Sequence, residues 1–295
     1  MSSWLDRITA INRQLISSYR CRHIAYLING ILKKTALDKT APDQWKLIKN
    51  YDGNLSMYVN PNEHIGRRIY FDGYYEGSEW RVLKKLITPS MCIIDIGANI
   101  GSWSLLFSKL AQEGTVYAIE PSTWFELLEK NIAINSIKNI KTFQCAFGNV
   151  AQEAWIEEPP PGNDKNYGMS RIALDKKSSA RSVSIYRLDE FVEKQTIKKI
   201  DWIKIDTEGM ELEILKGGVD VLKQYQPNVM LEMNPVALHH YEATIEQLVL
   251  FLQNLGYIHF YQAGRRGLLK QLNIPEILSS VASLNVFCSV SPLNT

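Results

Sequence analysis

The sequence predicts an α/β protein, a doubly wound and mostly parallel sheet preceded by a basic helical arm. Three observations carry that expectation. From Met91 onward, short apolar runs alternate with segments of helical periodicity, an order that requires right-handed crossovers and a sheet covered on both faces. Glycines and acids recur where those runs end. Before position 42, apolar residues fall at helical spacing instead. With 45% hydrophobic residues in 295, the chain can bury a sizeable core.

The arm comes first. Trp4, Leu5, Ile8, Ile11, Leu15 and Ile16, then Ile24, Leu27, Ile28, Ile31 and Leu32, trace two amphipathic helices. Arg7, Arg13, Arg20, Arg22, Lys33, Lys34 and Lys39 outnumber Asp6 and Asp38 there. The whole chain is nearly balanced, 33 Lys and Arg against 31 acids and a net charge of +2, so no global field points to nucleic acid or an acidic substrate. Pro42 closes the arm, dividing the chain into residues 1–45 and a domain over 46–295. Such an arm suits a cap on the domain's own surface, a homodimer contact, or a membrane-surface helix over residues 1–41 near a lipid-linked glycan. Residues 24–32 fall far short of the roughly 20 needed to cross a bilayer. The start also lacks the pattern of a secretory signal, so a cytoplasmic location is expected. Cys21, Cys92, Cys145 and Cys288 are scattered, which predicts neither a zinc site nor a disulfide scaffold, and no metal site is expected.

Next, residues 51–60 read as a strand or hairpin and 79–87 as a short helix stopped by Pro89. The alternation then runs CIIDIG, a helix over 102–110, TVYAIE, a helix over 124–134, and IKTFQCAF. It resumes with DWIKID, a helix over 211–223, NVMLEM, a helix over 244–255, and strands near 257–261 and 284–290. Between 157 and 181, Pro, Gly, Ser and charge predict a long loop, either a binding loop or a surface insertion.

Doubly wound sheets bind ligands beyond the carboxyl ends of their strands. The first strand turns through Gly97, Ala98, Asn99, Ile100 and Gly101 into a helix opening at Ser102, where backbone amides can approach a ligand. A dinucleotide fingerprint would need glycine at 97, 99 and 102; Asn99 and Ser102 break it. Asp95, just before the turn, would repel a pyrophosphate and suits a cofactor bearing an ammonium and a sulfonium. Glu120 ends the second strand, placed to accept ribose hydroxyls. Ala146 and Phe147 end the third, against an adenine ring or in the core. In the fourth, alternation puts Lys204, Asp206 and Glu208 on one side, as a reactive cluster or as a structural Lys–Asp pair with a helix N-terminal Glu. The fifth delivers Glu232 and Asn234, with His239 and His240 beyond. Glu232, Asp206 and the two histidines are eligible to take a proton from an attacking hydroxyl.

Together, IIDIGANIGSW, the acid of IEPS, RLDEFV, WIKIDTEGMELEILKGG and VMLEMNP resemble the FkbM family of S-adenosylmethionine-dependent methyltransferases, with KIDTEGMELEILKG the most specific element. The resemblance implies a Rossmann-like class I methyltransferase with a seven-stranded, mostly parallel sheet whose last strand is antiparallel. It implies S-adenosylmethionine as cofactor and O-methylation of a sugar, glycan or natural-product hydroxyl. By position, Asp95, Gly97, Asn99 and Gly101 would surround the methionine part, Glu120 the ribose, and Ala146 the adenine region, with Ser102 and Phe147 as further candidate cofactor contacts. Asp206 and Glu208 would face the reacting methyl, and Tyr75 and Glu76 resemble an aromatic–Glu pair that closes over the cofactor. In the expected reaction, Asp206 or Glu232 accepts the alcohol proton, Lys204 positions a carboxylate, and Glu208 holds substrate or cofactor. A variant has Asp206 and Glu208 binding a metal that polarises the hydroxyl. The fourth strand ends in DTEG and not in the Asn-Pro-Pro-aromatic signature of base methylation, so no nucleic-acid partner is expected. The competing class is a non-catalytic scaffold on a methyltransferase fold.

Overall fold

The structure is a computed structural model that describes residues 2–17, 28, 30–31, 45–158, 170–173 and 181–294. The chain forms two compact units, one comprising residues 1–76 with 133–135 and 159–169, the other the remainder.

The first unit contains α1 (Ser2–Ser17), the antiparallel strands β1 (Lys46–Tyr51) and β2 (Leu55–Val59), and α2 (His64–Asp72). Leu55, Met57 and Val59 alternate inward along β2, the period-2 signature of a half-buried strand. Glu63 caps α2, its carboxylate accepting from the amides of Ile65 and Gly66 at 3.1 and 2.7 Å. Gly73, at φ 85°, ends the helix in the left-handed conformation that glycine tolerates. The first arm helix forms as expected and lies on α2: Arg13 donates to the Tyr70 carbonyl at 2.5 Å, and Asp6 accepts from the Tyr70 hydroxyl. The second expected helix, over 24–32, falls largely outside the described residues.

The second unit runs α3 (Gly77–Leu86), β3 (Cys92–Ile96), α4 (Ser102–Leu110), β4 (Thr115–Ile119), α5 (Trp124–Ala133) and β5 (Ile140–Phe143). It continues through β6 (Ala146–Phe147), β7 (Gln152–Glu157), β8 (Arg171–Ala173), β9 (Arg181–Tyr186), α6 (Leu188–Lys194), β10 (Trp202–Ile205), α7 (Glu211–Lys216), α8 (Val219–Tyr225) and β11 (Asn228–Met233). It closes with α9 (Pro235–His239), α10 (Ile245–Asn254), β12 (His259–Ala263), β13 (Leu269–Leu272), α11 (Ile274–Leu278) and β14 (Leu284–Ser289).

The main sheet has the order β13-β12-β14-β11-β10-β3-β4-β5. Strands β5, β4, β3, β10 and β11 are parallel, and β14 enters antiparallel between β11 and β12. This is the mixed α/β sheet that the resemblance implied, including its antiparallel last strand. The expectation of seven strands omits an eighth, β13, which pairs antiparallel with β12 at the edge. Its four residues are half-exposed and mostly outside the core, so no apolar run marks it. Residues 146–186 hold a second sheet, ordered β6-β9-β7-β8, around Ala146, Ala154, Ile156, Val183 and Ile185. Strand β8 therefore interrupts the stretch read as one loop.

The helix expected over 211–223 is broken. Gly217 packs so closely on the second sheet that a Cβ there would lie 2.1 Å from the Gly148 carbonyl oxygen, and the chain restarts as α8 after Gly218. Among the described residues no helix is long and apolar enough to cross a membrane.

Candidate active site

Strands β3 and β10 are paired with Lys204 directly opposite Asp95. The register places a cation and an anion side by side in the middle of the sheet. Asp95 is 0% exposed and Lys204 3%; the ammonium lies 3.8 Å from Asp95 Oδ1 and 3.2 Å from Asp206 Oδ2. Ser104, one turn into α4, donates to Asp95 Oδ2 at 2.5 Å. Burial pushes the Asp95 carboxyl up, and Lys204 and Ser104 oppose that shift. An unpaired charge here would cost several kcal/mol, so the Lys204 bridge between two acids holds the floor of the site together.

Above that floor, β3 turns into α4 through three residues of positive φ: Gly97 at 79°, Asn99 at 50° and Gly101 at 88°. A Cβ on Gly97 would lie 1.9 Å from the Asp206 carbonyl oxygen, so this glycine is required by backbone contact with the end of β10 as well as by its φ. Glu120, at the end of β4, accepts from the amides of Asn99 at 2.7 Å and Ser122 at 2.8 Å. It thereby ties the glycine turn to the neighbouring strand. Burial raises the Glu120 carboxyl against the pull of those donors.

After β10 the chain makes a tight turn, with Glu208 at φ 57° and Gly209 at φ 117°. Buried Glu211 folds it, one carboxylate oxygen accepting from the Thr207 amide and hydroxyl, each at 3.0 Å, and from the Gly209 amide at 3.3 Å. A Cβ on Gly209 would lie 2.3 Å from the Ala237 carbonyl oxygen, so the turn is pressed against α9. Glu208 is pushed up to about 8, first by burial, then by the charges of Glu232, Asp206 and Glu211, with Arg171 acting against them. Glu232, on β11, receives the Ser283 hydroxyl at 2.5 Å from the loop before β14.

The structure thus gathers Asp95, Lys204, Asp206, Glu208 and Glu232 at the ends of β3, β10 and β11, with Glu120 and the 97–101 turn beside them. Other candidates have different surroundings. Asn234 caps α9, accepting from Val236 and Ala237 at 3.1 and 3.2 Å, while His239 and His240 are exposed. Ser102 and Ala146 are buried, and Phe147 lies in the core, edge-on to Phe191 at 5.0 Å. A cavity of about 390 Å³ opens among Phe143, Gln144, Cys145, Tyr186, Phe191 and Lys194, none of them a strand-end acid. Tyr75 and Glu76 belong to the N-terminal unit. Among the described residues no group of three or more His, Cys, Asp or Glu is arranged to hold a metal ion.

Residues 95–258 match the Methyltransferase FkbM domain family. The chain belongs to that family. Its cofactor is S-adenosylmethionine. The match begins at Asp95 and takes in the glycine turn, Glu120, the Lys204–Glu208 strand end and Glu232. Among curated proteins, Methyltransferase 1 of Beauveria bassiana is 24% identical over 204 residues, 61% of this chain and 78% of that protein. Methyltransferase sdnD of Sordaria araneosa is 27% identical over 168 residues, 48% of this chain and 65% of its own. The crystal structure of an FkbM methyltransferase from Methylobacillus flagellatus KT superposes with a TM-score of 0.45 at 14% identity, covering 68% of this chain and 44% of that one. The chain therefore spans less than half of that solved relative.

The residues present fit the cofactor. The missing Cβ atoms of Gly97 and Gly101 make way for the Asp206 carbonyl and the Leu128 side chain, which seats the turn at the end of β3, and the carboxylates around it suit an ammonium and a sulfonium. Glu120 accepts the Asn99 and Ser122 amides and the Ser122 hydroxyl, and a carboxylate's remaining lone pair can still take a ribose hydroxyl. Sequence reasoning did not find Ser104, Glu211, Ser283 or Arg171. Ser104 sits one helical turn past the glycines and Glu211 two residues after the DTEG motif, so both were adjacent to a visible signal; the other two arrive from distant segments.

Proposed function

We propose that this FkbM-family methyltransferase transfers the methyl group of S-adenosylmethionine to a hydroxyl oxygen of a sugar, glycan or natural-product acceptor, with Glu232 as the proton acceptor. The reading is carried by the coupling of Glu208 and Glu232 at adjoining strand ends, where two carboxylates cannot both ionise without cost.

When bound, S-adenosylmethionine supplies an electrophilic methyl group on a sulfonium. The chain's own work is to align, exclude water and move a proton. The 97–101 turn, whose amides all donate within the protein, shapes the cofactor pocket, and Glu120 would hold the ribose. Glu208, its carboxyl pushed up to about 8 by burial and by the neighbouring acids, donates a hydrogen bond to the acceptor. Glu232, oriented by Ser283, takes the alcohol proton as the oxygen–carbon bond forms and the carbon–sulfur bond breaks. Asp206 is the weaker choice for that step because Lys204 already engages its Oδ2 at 3.2 Å. Lys204 positions Asp95 and Asp206.

The test combines calorimetry with S-adenosylmethionine and transfer of labelled methyl to a panel of glycosides and simple alcohols. Glu232→Gln should lower kcat by roughly 10²-fold or more while cofactor affinity holds. Full turnover in Glu232→Gln would remove the base assignment, and loss of turnover in Asp206→Asn alone would move it to Asp206. Label recovered on nitrogen or carbon would overturn the acceptor class, and cofactor binding without transfer to any acceptor would favour the scaffold reading.

A further inference from the structure

Glu120 directly follows β4, and each of the next three residues is held by a side chain from elsewhere in the chain. Arg181, at the start of β9, donates from its guanidinium to the Pro121 carbonyl. Gln144, just past β5, donates from its amide to the Ser122 carbonyl at 3.2 Å. Glu158, just past β7, closes on Thr123 with both oxygens, accepting from the Thr123 amide at 2.7 Å and from its hydroxyl at 2.9 Å. Thr123 directly precedes α5, so this carboxylate also sits at the positive end of that helix.

The register of the small sheet brings two of these side chains together. Ile156 of β7 stands opposite Arg181 of β9, so Arg181 and Glu158 lie at the same end of the sheet and reach the same segment between β4 and α5. Ser122, between their two anchor points, donates its amide to Glu120 Oε1 at 2.8 Å. The other oxygen of Glu120 holds the Asn99 amide at 2.7 Å. The buried Glu120 carboxylate is thus set on one side by the glycine turn and on the other by a loop that the second sheet pins.

We propose that Glu158 and Arg181 are positioning residues for cofactor binding: by clamping residues 121–123 to the second sheet, they keep the Ser122 amide on Glu120 and so fix the carboxylate that takes the ribose hydroxyls. The proposal rests on the ribose role given above to Glu120. Releasing either anchor lets Ser122 shift, and the Glu120 carboxylate loses the donor that orients it.

The experiment is calorimetric titration of the full chain with S-adenosylhomocysteine and with its analogue lacking both ribose hydroxyls. Glu158→Ala and Arg181→Met should each weaken S-adenosylhomocysteine by about 5-fold, leave the affinity for the analogue in place, and add nothing once Glu120 is already replaced in Glu120→Ala. Arg181→Lys keeps a donor for the Pro121 carbonyl and should recover most of the loss. A purely structural clamp would weaken both ligands alike and would add to Glu120→Ala; that result overturns the proposal, as does wild-type affinity in either variant. If Arg181→Met fails to fold, the exposed Glu158 decides alone by the same comparison. Loss in Glu120→Ala without loss in Glu158→Ala overturns the clamp and leaves the ribose role standing, whereas wild-type binding of both ligands by Glu120→Ala removes the ribose role and the clamp with it. The titration needs no acceptor, so its result is independent of where the methyl group goes.

Discussion

Glu120 accepts two backbone amides before any ligand is considered, so it both shapes the glycine turn and presents lone pairs beyond it. Glu120→Ala should weaken S-adenosylmethionine binding by about 10-fold or more, the range for hydrogen bonds to a charged group, read by calorimetry. Lys204 acts below the surface. Lys204→Met would strand Asp95 at 0% exposure without a cation, a loss on the order of 3–5 kcal/mol that urea unfolding will measure. Glu208 makes stability depend on pH with a definite sign. Its folded value of about 8 lies above the ordinary 4.5, so between those values the folded state binds more protons than the unfolded. Stability therefore falls as pH rises through that window, and Glu208→Gln should flatten the decline in melting temperature between pH 5 and 8. These acids were legible as residues at strand ends. Their partners Ser283 and Arg171 were not, because each comes from a segment far along the chain with no periodicity pointing at the site.

Helices and strands with strong periodicity formed close to where they were expected. The 102–110 helix has its expected bounds, and the helix read over 244–255 is α10, begun by Thr244 in a reciprocal capping box with Gln247. Removing that cap with Thr244→Ala should cost about 1 kcal/mol in chemical denaturation and leave cofactor affinity unchanged, since α10 contributes no residue to the site. The α7–α8 break shows the opposite case. Residues 211–223 carry continuous helical apolar spacing, yet a close approach between Gly217 and the Gly148 carbonyl decides the geometry, and that contact joins elements far apart in sequence. The small sheet of β6, β7, β8 and β9 was missed for a related reason: Ala146 and Phe147 read as the end of the third main-sheet strand, which in fact stops at Phe143, and the partners of all four strands are set by pairing across the sheet.

For the molecule as a whole, burial governs the scattered cysteines. The three described ones, Cys92, Cys145 and Cys288, are buried and free, and burial raises all three thiols, Cys92 to about 11 and Cys145 to about 12. Ellman's reagent should leave these three untouched in the folded protein and modify them once denaturant is added; rapid labelling of the native protein at any of them would contradict that burial. The α/β class, the parallel strand sequence, the glycine turn and the acids at strand ends could be read from the chain because they are local: periods of two and 3.6 residues, and turn chemistry written in neighbouring positions. The strand order, the Lys204 bridge between Asp95 and Asp206, the break at Gly217 and the hold of Arg181 and Glu158 on residues 121–123 could not. Each depends on which surfaces meet when apolar faces are buried together, and that pairing is set by packing across the sheet, not by the spacing of residues along the chain.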